Sequence, residues 1–287
     1  MHTLAEIPSE NLGVPEPALP ATPIGTAVAF VRLTGFLICS LLATLIASAL
    51  NGLGINSAPF RCWYYRVLSR IVGLRVIARG KQSPIKPHLV VSNHISYYDI
   101  VALGSLIAGD FIAKAEIARW PVFGLMAKAG RSVFIDRARS ATDSARDQIQ
   151  QRLDDGDTLI MFPESTSGDG NRMKPFKSAL FTVAERRITD SKGQLQNIQV
   201  QPVSIAYTRL NGLPLGVGWR PYVAWYGDME MVPHLWFLAK LGVLTVEITF
   251  HPPVTLAGFA NRKALAAHCD KVVRNGMASL LAGRPAL

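Results

Sequence analysis

From Leu33 to Leu50 the chain carries no charged residue, and apolar positions extend this run back towards Ala27. A helix crossing a bilayer needs about 20 such residues. No other stretch restricts the fold as much, because this one must be covered by lipid or by the rest of the chain. It comes too late, and after too acidic a segment, for an ordinary secretory leader. Residues 1–24 hold Glu6, Glu10 and Glu16 with no Lys or Arg. Residues 61–86 hold Arg61, Arg66, Arg70, Arg75, Arg79, Lys81 and Lys86 with no acid. This asymmetry predicts a membrane-anchoring helix followed by a main domain on the cytoplasmic side. Arg32, at the start of the run, has a stem long enough to reach the interface.

The whole chain fits a lipid surface. Its 287 residues are 49% hydrophobic and carry a net charge of +10, and the mean hydropathy is +0.22. A basic, apolar protein suits anionic lipid or an acidic carrier. No interleaving of aromatic and basic residues points to nucleic acid. Cys39, Cys62 and Cys269 show neither metal spacing nor a disulfide framework, and are expected to be reduced.

Three segments follow: a disordered tail over 1–24, the anchoring helix and its turn-rich exit over 25–58, and one domain over 59–287. In that domain short apolar runs alternate with helical stretches. Strands are expected at 74–79, 88–93, 110–115, 132–137, 157–162, 199–207, 221–227 and 245–252. Helices are expected near 98–108, 121–129, 140–154, 175–186, 233–241 and 260–282. This alternation predicts an α/β fold with a central, mostly parallel sheet flanked by helices. In such sheets, working residues collect beyond the carboxyl ends of the strands.

The polar clusters fall at those ends. "NHISYYD" (93–99) places His94 after one strand and Asp99 in the first turn of a helix. A carboxylate there can accept from Nδ1–H, fix the tautomer and leave Nε2 as a base. The same residues alone also suit a helix cap and a satisfied loop histidine. "RSVFIDRARS" (131–140) puts Arg137 at a strand end, where a guanidinium can hold an anion. "MFPESTSGDGNRMKPFKS" (161–178) brings Glu164, small hydroxyls, two glycines, Arg172, Lys174 and Lys177. Pro202 within 199–207 implies an edge, a bulge or a kink. His234 is expected to be a satisfied residue rather than a second base. Trp225, Tyr226, Trp236 and Phe237 suit a membrane-facing rim. A nucleophile elbow, a P-loop, a dinucleotide fingerprint and a zinc-protease motif are all missing from the sequence.

In order, these clusters resemble the lysophospholipid acyltransferases, a glycerolipid acyltransferase family that includes bacterial 1-acylglycerol-3-phosphate O-acyltransferases. The family pattern is NHxSxxD, a GxxxFIDR-like block, FPEGTRS and a VPVxI-like block. Here the blocks read "NHISYYD" (93–99), "GRSVFIDR" (130–137), "FPESTS" (162–167) and "QPVSI" (201–205). The resemblance spans roughly residues 60–255. It implies that His94 is the general base and Asp99 its orienting partner. It implies that Arg137, Glu164, Ser165 and Thr166 hold the acceptor, with Arg172, Lys174 or Lys177 adding charge. It implies an acyl thioester donor, on coenzyme A or acyl carrier protein, and a lysophospholipid acceptor at a bacterial inner membrane. Neither metal nor cofactor is expected. Ser165 stands where the family has Gly, and Ser167 where it has Arg. The expected acceptor is 1-acyl-sn-glycerol-3-phosphate, giving phosphatidic acid. Residues 224–236 also resemble lyso-ornithine lipid acyltransferases, which makes that lipid the alternative acceptor. A non-catalytic lipid-binding membrane protein is the remaining reading.

Overall fold

The computed structural model describes residues 22–86, 88–135, 143–189 and 195–284. The apolar run forms helix α1 (Pro23–Gly52). Thr22 caps it by accepting from the Gly25 N–H at 3.1 Å, and Pro23 occupies the first turn, where its missing N–H costs nothing. Helix α2 (Ala58–Ile71) follows, then strands β1 (Leu74–Arg79) and β2 (His88–Ser92) and helix α3 (Tyr98–Gly104). Next come β3 (Asp110–Lys114), α4 (Phe123–Ala129), β4 (Val133–Ile135), α5 (Asp143–Asp154) and β5 (Thr158–Met161). A small hairpin of β6 (Arg187–Thr189) and β7 (Leu195–Asn197) leads into the long β8 (Gln199–Leu210) and β9 (Leu213–Pro214). The chain ends with α6 (Arg220–Val223), α7 (Met231–Lys240), β10 (Leu244–Phe250), β11 (Val254–Thr255) and α8 (Arg262–Leu281).

Among the described residues the main sheet runs β1-β10-β8-β2-β5-β3-β4, with β9 and β11 added to β8. Every neighbouring pair along this path is parallel except β10 with β8. The sheet is therefore mostly parallel, as its sequence pattern requires. All of β2 and β5 and most of β8 are buried, which is why β2 and β5 centre on continuous apolar runs, Leu89–Val91 and Leu159–Met161, rather than alternating ones.

Three expectations need correction. Residues 221–227 are not a strand. They form the short α6 and a loop, with Pro221 in the helix's first turn, and their aromatic residues pack without joining a ladder. Residues 175–186 form a 3-10 helix over Ser178–Glu185 rather than an α-helix. Pro202 is not on an edge: it pairs with Val91 inside the sheet. β10 ends at Phe250, opposite Val203, and β11 resumes opposite Val200. The His251 N–H donates to the Pro202 carbonyl at 3.0 Å, so the N–H that proline lacks faces this gap between partners.

Helix α1 does not stand apart from the domain. Its buried residues Ala29, Phe36, Ser40, Ala43 and Ala47 lie on one stripe and pack on α2, α4 and α7. Ser40 and Tyr64 of α2 share a buried hydrogen bond at 2.8 Å. Arg32 does not reach outward as expected. Its guanidinium turns inward and donates to the carbonyls of Ala239, Leu241 and Gly242, at the end of α7. Those carbonyls lack helical partners, and a cation satisfies both the acceptors and the helix dipole. The opposite face of α1, including Leu37, Leu41 and Leu45, is exposed.

Candidate active site

The sheet register assembles the site. β2 and β5 are parallel neighbours, with Val91 opposite Met161. Both strands then leave the sheet together, and three residues further on the same register sets His94 beside Glu164. The His94 N–H donates to Glu164 Oε1 at 2.7 Å, and the Lys174 N–H donates to Oε2 at 2.5 Å. The Gly168 N–H returns to the His94 carbonyl at 2.9 Å. A Cβ on Gly168 would come within 2.8 Å of the Arg172 carbonyl, so only glycine allows this approach. Burial raises the Glu164 carboxyl to about 7, against the lowering effect of its two backbone donors.

Asn93 holds the other side of the loop. Its side chain accepts from the Ile205 N–H at 2.8 Å and donates to the Ile205 carbonyl at 2.9 Å. The amide thus extends the ladder to β8 after the backbone of β2 has turned away. His94 is thereby placed just past the sheet edge.

His94 Nδ1 lies 2.8 Å from Asp99 Oδ2. Asp99 is fully buried and His94 only partly so. The same Oδ2 accepts from the N–H groups of Ile95 at 2.6 Å and Ser96 at 3.0 Å, while Tyr207 Oη donates to Oδ1 at 2.7 Å. An oxygen that already takes two backbone N–H groups is placed to accept from Nδ1–H as well, which in the neutral ring leaves the lone pair on Nε2. Nε2 has no partner among the described residues. The ring stacks on Phe162 with centroids 4.1 Å apart and planes at 15°, which fixes its orientation. Phe162 in turn stacks on Phe111 at 6.3 Å. Phe111 lines a cavity of about 130 Å³ between α1 and the domain. Leu33, Phe36, Leu68, Tyr97 and Phe123 are among its other walls, and the lining is almost wholly apolar.

The remaining site residues from the sequence divide into three groups. Arg137 lies outside the described residues. Ser165 is buried with φ at +65°, the left-handed conformation in which glycine is at ease. Thr166 is half-buried beside it. Ser167, standing where the family has Arg, is buried and donates to the Trp225 carbonyl. The Lys174 ammonium donates to the Ser167 carbonyl at 3.1 Å. Arg172 and Lys177 are exposed.

Two further histidines are accounted for. His234 accepts from Tyr97 Oη through Nδ1 at 2.9 Å and donates through Nε2 to the Tyr222 carbonyl at 3.1 Å. Both nitrogens are used, as a satisfied residue requires. His251 and Ser204 sit 2.8 Å apart and superficially resemble a nucleophile with its base. Ser204 Oγ already donates to the Val273 carbonyl at 2.8 Å, so His251 Nε2 must be the donor. The pair runs in the wrong direction to deprotonate the serine. Phe237 of the expected rim is buried, while Trp236 meets Phe30 of α1 edge-on with ring centroids 5.0 Å apart.

Sequence reasoning missed Tyr207. Its phenol meets Asp99 from a strand more than a hundred residues away, and no local spacing signals that pairing. It also missed Asn93 as a ladder mimic, although an amide directly after a buried strand was visible.

The Acyltransferase family model matches residues 73–206, which span β1 to most of β8. The lyso-ornithine lipid O-acyltransferase of Brucella abortus is 38% identical over 256 residues, covering 84% of this chain and 95% of that protein. The corresponding enzyme of Rhizobium meliloti is 34% identical, covering 88% of each chain. The 1-acyl-sn-glycerol-3-phosphate acyltransferase of Neisseria gonorrhoeae is 30% identical, covering 71% and 74%. The crystal structure of the 1-acyl-sn-glycerophosphate acyltransferase PlsC from Thermotoga maritima shares the fold, with a TM-score of 0.52 at 19% identity over 87% of this chain and 97% of that one. A matching domain and near full-length relatives agree with the architecture, and this chain therefore belongs to the acyltransferase family and is an O-acyltransferase.

Proposed function

We propose that the chain transfers an acyl group from a thioester to the free hydroxyl of a lysolipid, with His94 as general base and Asp99 as its orienter. The observation that carries this reading is the His94–Asp99 pair with an unengaged Nε2, two stacked rings away from an apolar cavity. The acceptor hydroxyl gives its proton to Nε2 as its oxygen attacks the thioester carbonyl. The tetrahedral intermediate then expels the thiolate, which takes the proton back from Nε2–H. The new ester and the free thiol balance the reaction, and no acyl-enzyme is required. The cavity would hold an acyl chain away from water, which favours transfer over hydrolysis. The donor is an acyl group on coenzyme A or acyl carrier protein.

For the acceptor we favour lyso-ornithine lipid. Its amino-acid head group carries a carboxylate and an ammonium instead of a phosphate. Ser167 replaces a cation with a hydroxyl that is spent on the Trp225 carbonyl, and the relatives from Brucella and Rhizobium act on this lipid by name. The exposed Arg172 and Lys177 and the Neisseria relative support 1-acylglycerol-3-phosphate as the second reading. The test is to incubate the purified chain with both lysolipids and both donor types, and to identify the diacyl product by mass spectrometry. Diacyl ornithine lipid as the main product is expected. Phosphatidic acid alone would transfer the assignment to the second acceptor.

We also infer how the protein meets the membrane. A helix fastened along one side to α2, α4 and α7 would embed side-on, with its exposed face in one leaflet of the bacterial inner membrane and the catalytic domain on the cytoplasmic side.

A further inference from the structure

We propose that Tyr207 is a positioning residue for the reaction, holding Asp99 in the one orientation that keeps His94 ready as a base. The inference rests on the catalytic reading of His94 and Asp99 given above. The Asp99 carboxylate is fully buried and has two distinguishable ends. Oδ2 takes His94 Nδ1 and the Ile95 and Ser96 N–H groups, all from its own loop. Oδ1 takes a single bond, from Tyr207 Oη at 2.7 Å. Without that bond Oδ1 would have no partner among the described residues, and only the bonds on Oδ2 would resist a turn of the carboxylate.

The phenol is well placed for this task. Tyr207 lies on the central strand β8, opposite Val246 of β10, and is 2% exposed. A strand fixed on both sides offers a rigid origin for a hydrogen bond, whereas the loop carrying His94 and the short α3 do not. Burial and the neighbouring Asp99 charge push the phenol well above its ordinary range, so it stays a donor. The other titratable or charged groups around the pair are Glu164 from the β5 loop, Tyr97 and Tyr98 at the start of α3, and Arg32 of α1. None of them donates to Oδ1. Removing the hydroxyl leaves a buried acceptor unsatisfied and takes away the one restraint on the carboxylate that does not come from its own loop. Deprotonating the acceptor hydroxyl would suffer, while lysolipid binding would not.

The test compares full-length wild type, Tyr207→Phe and His94→Ala in the same detergent or nanodisc, with 15N-labelled histidine. Tyr207→Phe is expected to lower kcat about 10- to 100-fold with KM for both substrates within about twofold. It is also expected to remove the slowly exchanging downfield proton of His94 Nδ1–H, which a purely structural role would leave in place. Incorporating 3-fluorotyrosine at position 207 keeps the hydroxyl and the fold while strengthening the donor, and should move that resonance upfield. A Tyr207→Phe protein with wild-type kcat, or with an unaltered Nδ1–H resonance, would overturn the proposal. If Tyr207→Phe fails to fold, an unmoved resonance in the fluorotyrosine protein overturns it equally. His94→Ala separates the two levels. Wild-type turnover there overturns the catalytic reading, whereas its loss beside an unaffected Tyr207→Phe sinks only the role of Tyr207.

Discussion

At the scale of single residues, the site depends on a few side chains whose bonds are fully specified. His94→Ala is expected to reduce transfer by roughly 10²- to 10⁴-fold while the protein stays folded, checked by product formation beside thermal unfolding. Ser165 gives a different kind of prediction. Its left-handed backbone suits glycine better than any residue with a Cβ, so Ser165→Gly should raise stability by about 1 kcal/mol, read from the shift in unfolding midpoint. Glu164 supplies a pH dependence. Its folded value, about 7, lies above the ordinary 4.5, so the native state holds this proton more tightly than the unfolded chain. Its contribution to stability is fully present below about pH 4.5 and is lost as the pH rises through 7. Urea unfolding at pH 5 and pH 7.5 should show a smaller pH difference for Glu164→Gln than for wild type. The His94–Asp99 pair was readable in the sequence because both residues lie in one short block, five positions apart. Tyr207 was not, because its partner is set by sheet order and not by spacing.

At the scale of elements, the long strands were legible, while helices α2 and α6 and the short strands β6, β7, β9 and β11 were not. β2 and β5 announce themselves through the apolar runs Leu89–Val91 and Leu159–Met161. Helix α2 reads only as the start of a basic stretch, since Arg61, Arg66 and Arg70 break up its buried Cys62, Tyr64 and Leu68. The reason lies in Arg61, which is buried rather than solvated. It pairs with Asp110 at the start of β3, and Arg152 of α5 pairs with the other oxygen of the same carboxylate. Arg152 also reaches Asp157 at 2.6 Å. A buried cation cannot be told from a surface one by sequence pattern alone. This network joins α2, β3 and α5 beneath the sheet. Asp110→Ala would leave buried Arg61 without its carboxylate, while Arg152 keeps Asp157, and is expected to cost about 3–5 kcal/mol, measured by denaturant unfolding. The segment 221–227 misled in the opposite sense: aromatic residues favour strands on average, but here Trp225 packs edge-on against Tyr97 and the Tyr222 carbonyl accepts from His234.

At the scale of the whole molecule, α1 is part of the domain and also carries the exposed apolar face proposed to meet the membrane. The apolar run could be recognised from composition, but whether it stands across the bilayer or lies along the protein depends on contacts such as Arg32 with the carbonyls of Ala239 and Gly242. Replacing exposed Leu41 and Leu45 with Asp should release the protein from anionic vesicles in a flotation assay while leaving its unfolding midpoint nearly unchanged. Replacing buried Phe36 with Asp should instead unfold the domain.

The cavity under α1 bears on kinetics as well as on architecture. Helix α1 makes one wall of that cavity, so on the side-on embedding proposed above the lysolipid's chain need not leave the bilayer, and its encounter with the site takes place in two dimensions. The concentration that governs turnover is then the lysolipid's mole fraction in the surface. Diluting a fixed vesicle population with buffer should barely alter the rate per bound enzyme, whereas diluting the acceptor with inert phospholipid should lower it in proportion.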